Sequence, residues 1–317
     1  MEKQHDDKLM KSRSSRACVT AGIRLFLSKF RPIFRQTWPA ALIYAAAVSI
    51  SGMIAIAFLP SLMAIPANAS YTDALGWFLS AVMANLAGTL IILVALTILT
   101  GYGMTLLSHH ASQQTILAPH GWPMADRKIL GRSAVAMVWI VVFSLLLAAL
   151  LCAVAMGATW SLGWKAGPAI GVAMIILTIA FFLPLEYVSM KYILTRQNGF
   201  FHHLRRGYPI GLRHLGIIFL VTLITSIMAA LVTMVANLPA YVLLMANLTA
   251  YEGALAGDPL GMPSYINLLT AATLFLTGFI QAYVLMMTLF PSYYMYGSIE
   301  KQEDERAEAM HAIEQHQ

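Results

Sequence analysis

Charge is what this chain has least of. Asp, Glu, Lys and Arg together make up 11% of its 317 residues, against about a quarter in an ordinary soluble domain. Hydrophobic residues reach 59%, so the composition excludes a water-facing globule. Cysteine is nearly absent as well. Cys18 lies in the N-terminal polar region and Cys152 inside an apolar run. Placed that far apart in membrane depth they cannot pair, which rules out a disulfide framework. The chain also lacks HExxH, GxSxG, a P-loop and a GxGxxG opening a helix, so the familiar motifs of zinc peptidases, serine hydrolases and nucleotide-binding enzymes are missing. No nucleic-acid recognition motif accompanies the net charge of +6, and nucleic acid is not expected as a partner.

What is present is apolar length. Six runs, roughly 39–64, 75–107, 133–157, 167–192, 214–247 and 265–297, each exceed the ~20 residues needed to cross about 30 Å of hydrocarbon. The expected fold is therefore all-α and polytopic, with six transmembrane helices arranged as three helical hairpins. Between the runs the basic residues alternate: nineteen of the twenty Lys and Arg fall on one side, Lys165 being the exception. The positive-inside rule makes that side, with both termini, cytoplasmic. The chain divides into a disordered cytoplasmic tail over 1–20, a six-span membrane domain over 21–297 and an acidic cytoplasmic tail over 298–317.

A basic amphipathic helix is expected before the first span. Ile23, Phe26, Leu27, Phe30, Ile33 and Phe34 recur at helical spacing, with Arg24, Lys29, Arg31 and Arg35 among them. Such a helix lies in the headgroup plane, its cations toward anionic lipid. Pro32 should bend it, and Trp38-Pro39 should turn the chain into the span. The segment from Phe200 repeats the device, with Arg205 and Arg206 interleaved with aromatics. Anionic membrane lipid is the expected partner, with a homo-oligomer or second membrane protein also open. Gly101-Tyr102-Gly103 should kink or end the second span, and Asn237-Leu238-Pro239 should end the fifth. Trp77, Trp160, Trp164 and Tyr71 suit an outer aromatic belt, and Trp38, Trp122, Tyr293 and Tyr294 an inner one.

Few residues can carry chemistry. Glu186 is the sole carboxylate within a span, and an intramembrane acid is a functional-site candidate because it is costly to place there. It can serve as a proton or cation site opened by Pro184, or pair at the interface with Lys191 or a nearby Arg. Gln281 and Asn85 are mid-span amides that must find each other or backbone. Ala47, Ser51 and Ala55, and likewise Thr222, Ser226 and Ala230, form small-residue ladders that let helices approach closely. All nine histidines fall on the cytoplasmic side, but His109-His110 and His202-His203 are adjacent rather than spaced i,i+4. They do not build a metal box, and neither metal nor other cofactor is expected; the histidines should instead sit as polar, lipid-facing residues.

The segments Pro184-Leu185-Glu186-Tyr187-Val188-Ser189-Met190-Lys191-Tyr192 and Gly211-Leu212-Arg213-His214-Leu215-Gly216 resemble those of an uncharacterised family of six-span bacterial inner-membrane proteins. That family is loosely similar to the membrane domain found beside glycerophosphodiester phosphodiesterases. Phe290-Pro291-Ser292-Tyr293-Tyr294 and Gly257-Asp258-Pro259-Leu260-Gly261-Met262-Pro263 add to the likeness. The resemblance implies a bacterial inner-membrane location and brings no catalytic residues. The expected role is a non-enzymatic scaffold or regulator in envelope or lipid homeostasis. The alternatives are a small transporter or channel using Glu186 and Gln281, and a lipid-modifying membrane enzyme.

Overall fold

The computed structural model describes residues 9–63, 71–113, 125–162, 167–195, 198–255, 257, 263 and 265–315. They form α1 (Ser15–Ser28), α2 (Phe30–Met63), α3 (Tyr71–Gln113), α4 (Arg127–Leu162), α5 (Gly167–Thr195), α6 (Phe200–Arg213), α7 (Leu215–Leu255) and α8 (Tyr265–Glu314), with no strand among the described residues. All but α1 and α6 are long and apolar enough to span, giving six candidate spans and a multi-pass membrane protein. Their surfaces suit hydrocarbon: Leu145, Val242 and Leu268 are among many large apolar side chains left open. Only 6% of the most apolar window of α4 is buried. In water such a surface would be an aggregation patch.

The chain forms two compact units. The first comprises 1–33, 100–227 and 287–317, and so holds α1, α4, α5, α6 and parts of the other helices. Its core is aromatic and bulky, with Phe290, Tyr187, Tyr293, Tyr294, Ile129 and Met104 fully buried. Within it α5 packs on α4 and α6. Gly211 of α6 lies against Pro184 of α5, where a Cβ would stand 3.0 Å from the proline Cα. Gly22 of α1 lies against α8, where a Cβ would meet backbone atoms of Phe290 and Pro291 at 2.7 Å. Both prolines stay inside their helices. In a membrane helix the neighbours re-satisfy the backbone that a proline frees.

The second unit comprises 34–99 and 228–286. Its core is rich in small residues: Ala40, Ala41, Ala45 and Ala47 of α2, Ala81 and Ala95 of α3 and Ala282 of α8 are buried, alongside the larger Leu99 and Met286. Ser51 of α2 sits where a Cβ on Gly88 of α3 would be, and Gly278 of α8 rests on Ala45 and Val48. Ser49 donates to the Ala271 carbonyl at 2.8 Å. The first small-residue ladder thus works as expected, drawing backbones together.

Several expectations are corrected. The stretch 1–20 is not disordered throughout: α1 begins at Ser15, whose preceding Ser14 hydroxyl caps the Ala17 N–H. The break before the first span falls at Lys29, not Pro32, because a proline in a helix's first turn forfeits no helical hydrogen bond. Pro39 and Pro239 lie inside continuous helices, and α3 runs through Gly101-Tyr102-Gly103. The acidic tail continues α8 as helix to Glu314. Tyr293 and Tyr294 are core residues rather than a belt: the Tyr293 hydroxyl lies 3.1 Å from His110 Nδ1, and the Arg13 guanidinium stacks on Tyr294 at 4.8 Å. The histidines do not all face lipid, since His110 and His203 are buried. Trp122, Trp164, His5, His120, His316, Lys165 and most of the Gly257–Pro263 loop lie outside the described residues, as do residues 1–8; the side chains of Trp77, Trp160 and Tyr71 do too.

Candidate functional site

Glu186 stands on α5 two residues beyond Pro184, within the first unit, and is half-buried. Thr222 of α7 donates to its Oε2 at 2.6 Å, and Ser292 of α8 donates to its Oε1 at 2.5 Å. One carboxylate therefore joins three helices through hydroxyls, the donors best able to satisfy an acid inside a span without importing another charge.

Lys191 is not its partner. The two residues are five apart, which turns them by about 140° around the helix and aims them at different neighbours. Lys191 Nζ instead pairs with Glu300 Oε1 of α8 at 2.7 Å. The Tyr187 hydroxyl donates to the same oxygen at 2.5 Å, and the ammonium reaches that hydroxyl at 3.3 Å. One turn further along α8, Glu303 accepts from His214 at 2.8 Å and from Arg213 at 3.2 Å. The start of the acidic tail is thus the counter-charge for the ends of α5 and α6. In the sequence alone it shows only as a charge imbalance.

The amides Gln281 and Asn85 belong to the second unit. Gln281 Nε2 donates to Asn237 Oδ1 at 3.1 Å, linking α8 to α7. Asn85 Nδ2 donates to the Ala81 carbonyl of its own helix at 2.9 Å. Each is satisfied, though not by the other. In the sequence, Asn237 stands in Asn237-Leu238-Pro239, which points to the end of the fifth span rather than to a partner for Gln281.

The six cations expected at headgroups, Arg24, Lys29, Arg31, Arg35, Arg205 and Arg206, are all exposed. Large apolar side chains open beside them: Leu27 is 64% exposed on α1 and Phe201 55% on α6. The opposite face of α1 differs from expectation. Cys18, Val19, Leu25 and Phe26 are buried, and Phe26 meets Phe290 edge-on at 5.3 Å. That apolar stripe is spent on protein rather than lipid, because the glycine at 22 lets the helix touch α8. Burial pushes the Cys18 thiol pKa up against the opposing pull of Arg13. On α6 the Tyr208 phenol is likewise pushed up by burial, and its hydroxyl lies 3.5 Å from the Phe181 carbonyl.

Among the described residues, no three His, Cys, Asp or Glu side chains come together as a metal-ligand set. Compared with family models, curated proteins and solved structures, the chain finds no match in any of the three.

Proposed function

We propose that this multi-pass protein sits in a bacterial inner membrane with both termini in the cytoplasm and engages anionic lipid there, acting without a reaction of its own as a scaffold or regulator of envelope or lipid homeostasis. The family resemblance drawn from the Pro184 and Gly211 segments belongs to the same proposal. One observation carries it. α1 and α6 are both 14-residue helices, each separated from the following span by a single residue, and each presents arginines beside exposed Leu or Phe. Cations next to solvent-open apolar side chains match a headgroup layer, where charge meets phosphate and the apolar groups enter the acyl boundary.

The test is lipid selectivity of the full-length protein in nanodiscs. Enrichment of phosphatidylglycerol over phosphatidylcholine should fall with added salt and fall again in a variant carrying Lys29→Gln, Arg31→Gln, Arg205→Gln and Arg206→Gln. Equal enrichment of both lipids at every salt concentration would overturn the reading.

A second reading, transport, is favoured by one specific feature: the Glu186 carboxylate is held by two hydroxyls from other helices rather than by a cation. Proton- or cation-coupled flux in proteoliposomes that disappears in Glu186→Gln would replace the scaffold with a carrier.

A further inference from the structure

α6 is seated by one face and leaves two flanks open. Phe200, His203, Gly207 and Gly211 are buried, and a Cβ on Gly207 would meet the Val188 side chain of α5 at 3.2 Å. Phe201, Arg205, Tyr208 and Leu212 follow at i, i+4, i+7 and i+11 and so share one flank. Phe201 and Leu212 are open on it. His202, Arg206 and Arg213 share the other flank, where Arg213 is already paired with Glu303. That second flank is the ordinary cationic side of an interfacial helix. The first is not, because an arginine stands in the middle of its apolar stripe.

Rings fix the level of this stripe. Phe201 meets Trp139 of α4 edge-on at 4.4 Å, and Trp139 also stacks on Phe200 at 6.3 Å. Phe143 of α4 continues the shelf to Phe181 of α5. Tryptophan favours the boundary between acyl chains and headgroups, so the shelf sets the apolar flank of α6 at that boundary. There the stem of Arg205 lies along acyl carbons while its guanidinium rises toward the phosphates. Arg205 and Arg206 are exposed, and no ion pair or hydrogen bond ties either guanidinium to the described residues. At Arg205 the counter-charge must therefore come from outside the protein, because a cation on an apolar flank is poorly served by water.

Phosphate meets that need. A guanidinium can grip two of its oxygens with two parallel N–H donors. Arg206, turned about 100° around the helix, can add charge from the other flank. A choline headgroup carries its own ammonium beside the phosphate and offsets part of this attraction, so an anionic lipid is preferred.

We infer that Arg205 is the specificity-determining contact for an anionic glycerophospholipid, gripping its phosphate while the acyl chains run past Phe201 and Leu212. The inference rests on the lipid-binding reading above and narrows it from six cations to one residue.

The experiment is native mass spectrometry of the full-length protein released from nanodiscs of mixed phosphatidylglycerol and phosphatidylcholine. The variants are Arg205→Gln, Arg205→Lys and Arg206→Gln, all at exposed positions, so melting should not change. Arg205→Gln should weaken phosphatidylglycerol retention by at least about tenfold, as expected for loss of charged hydrogen bonds. Arg206→Gln should weaken it by about fivefold, the effect of one cation near an anionic surface. Arg205→Lys keeps the charge but loses the fork, and should still weaken retention by roughly threefold. If Lys replaces Arg205 in full and Arg206→Gln loses as much as Arg205→Gln, the cations act as diffuse charge. The inference then fails, though the general lipid reading stands. If no variant changes retention, both fall. If inorganic phosphate at millimolar concentration empties the site and phosphatidylglycerol is held no better than phosphatidylcholine, the occupant is a free anion and the lipid assignment is wrong.

Discussion

The two units of this molecule are built from different materials. The first closes around tyrosines and phenylalanines and is tied by hydroxyl, carboxylate and ammonium groups: Glu186 to Thr222 and Ser292, Lys191 to Glu300, His214 to Glu303. The second closes mainly around alanines and glycines, with Leu99 and Met286 fully buried among them and a Phe34–Phe279–Tyr283 ring cluster beside them, and the Gln281–Asn237 amide pair is a polar link between its helices. Large side chains leave gaps at helix crossings that polar groups can bridge, whereas small ones let backbones touch and leave little to bridge. In hydrocarbon, helix association draws on packing rather than on water exclusion. The small-residue unit should therefore depend on shape, and the aromatic unit on shape together with specific bonds.

The largest effect should come where shape admits no relief. Gly22 touches the backbone of Phe290 and Pro291, so a methyl there has nothing flexible to displace. Overpacking costs about 1–3 kcal/mol as a rule, and Gly22→Ala should reach the upper end despite alanine's ~1 kcal/mol advantage within a helix. It should also lift α1 enough for Cys18 to react with a thiol reagent, which its burial and raised pKa prevent in the native protein. In the second unit, Gly52→Ala meets the end of the Leu274 side chain, with Cδ1 at 2.8 Å. There a side chain can give way, so the cost should be smaller, about 1 kcal/mol. Equal melting shifts for the two variants in detergent would remove the distinction between rigid and yielding contacts.

Next in size is Glu186. Removing its carboxylate with Leu strands two hydroxyls, although Ser292 can still donate to the Thr288 carbonyl at 3.2 Å. The net loss should be about 1–2 kcal/mol. Gln keeps an acceptor and adds donors, so Glu186→Gln should lose less than half as much. If Gln is as damaging as Leu, the negative charge itself matters, which would favour the transport reading.

Much of this was legible in the sequence, and what was not shares a physical cause. The six long helices follow from run length alone, since hydrocarbon permits few alternatives. The small-residue ladder at Ala47 and Ser51, the exposed cations and the isolation of Glu186 could also be read directly. Partners could not. Nearness along the chain suggests a Glu186–Lys191 pair, but five residues of helix aim them apart. Thr222 and Ser292 lie 36 and 106 residues away, and nothing local marks them. Proline and glycine misled for the opposite reason: Pro39, Pro239 and Gly101 read as breaks by soluble-protein rules, whereas long membrane helices accommodate them.

The smallest effects separate the units most cleanly, because they differ in kind rather than in size. Glu303 receives His214, Arg213 and Arg306, and the two arginines are each more than half exposed. Pairs so open to solvent contribute less than about 1 kcal/mol, so Glu303→Gln should lower stability only slightly. The Gln281–Asn237 bond is of similar worth, since interhelical hydrogen bonds in membranes average about 0.6 kcal/mol. Gln281→Leu should therefore produce a melting shift close to that of Glu303→Gln at low salt. At about 1 M NaCl the Debye length shrinks to roughly 3 Å. The Glu303→Gln shift should then shrink, because the wild type has lost the attraction of its two exposed arginines while the shielded His214 contact is screened less. The Gln281→Leu shift should persist, because an uncharged amide pair has nothing for ions to screen. A Glu303 effect undiminished at high salt would mean that its ion pairs act as packing contacts, and that the first unit is held by shape as fully as the second.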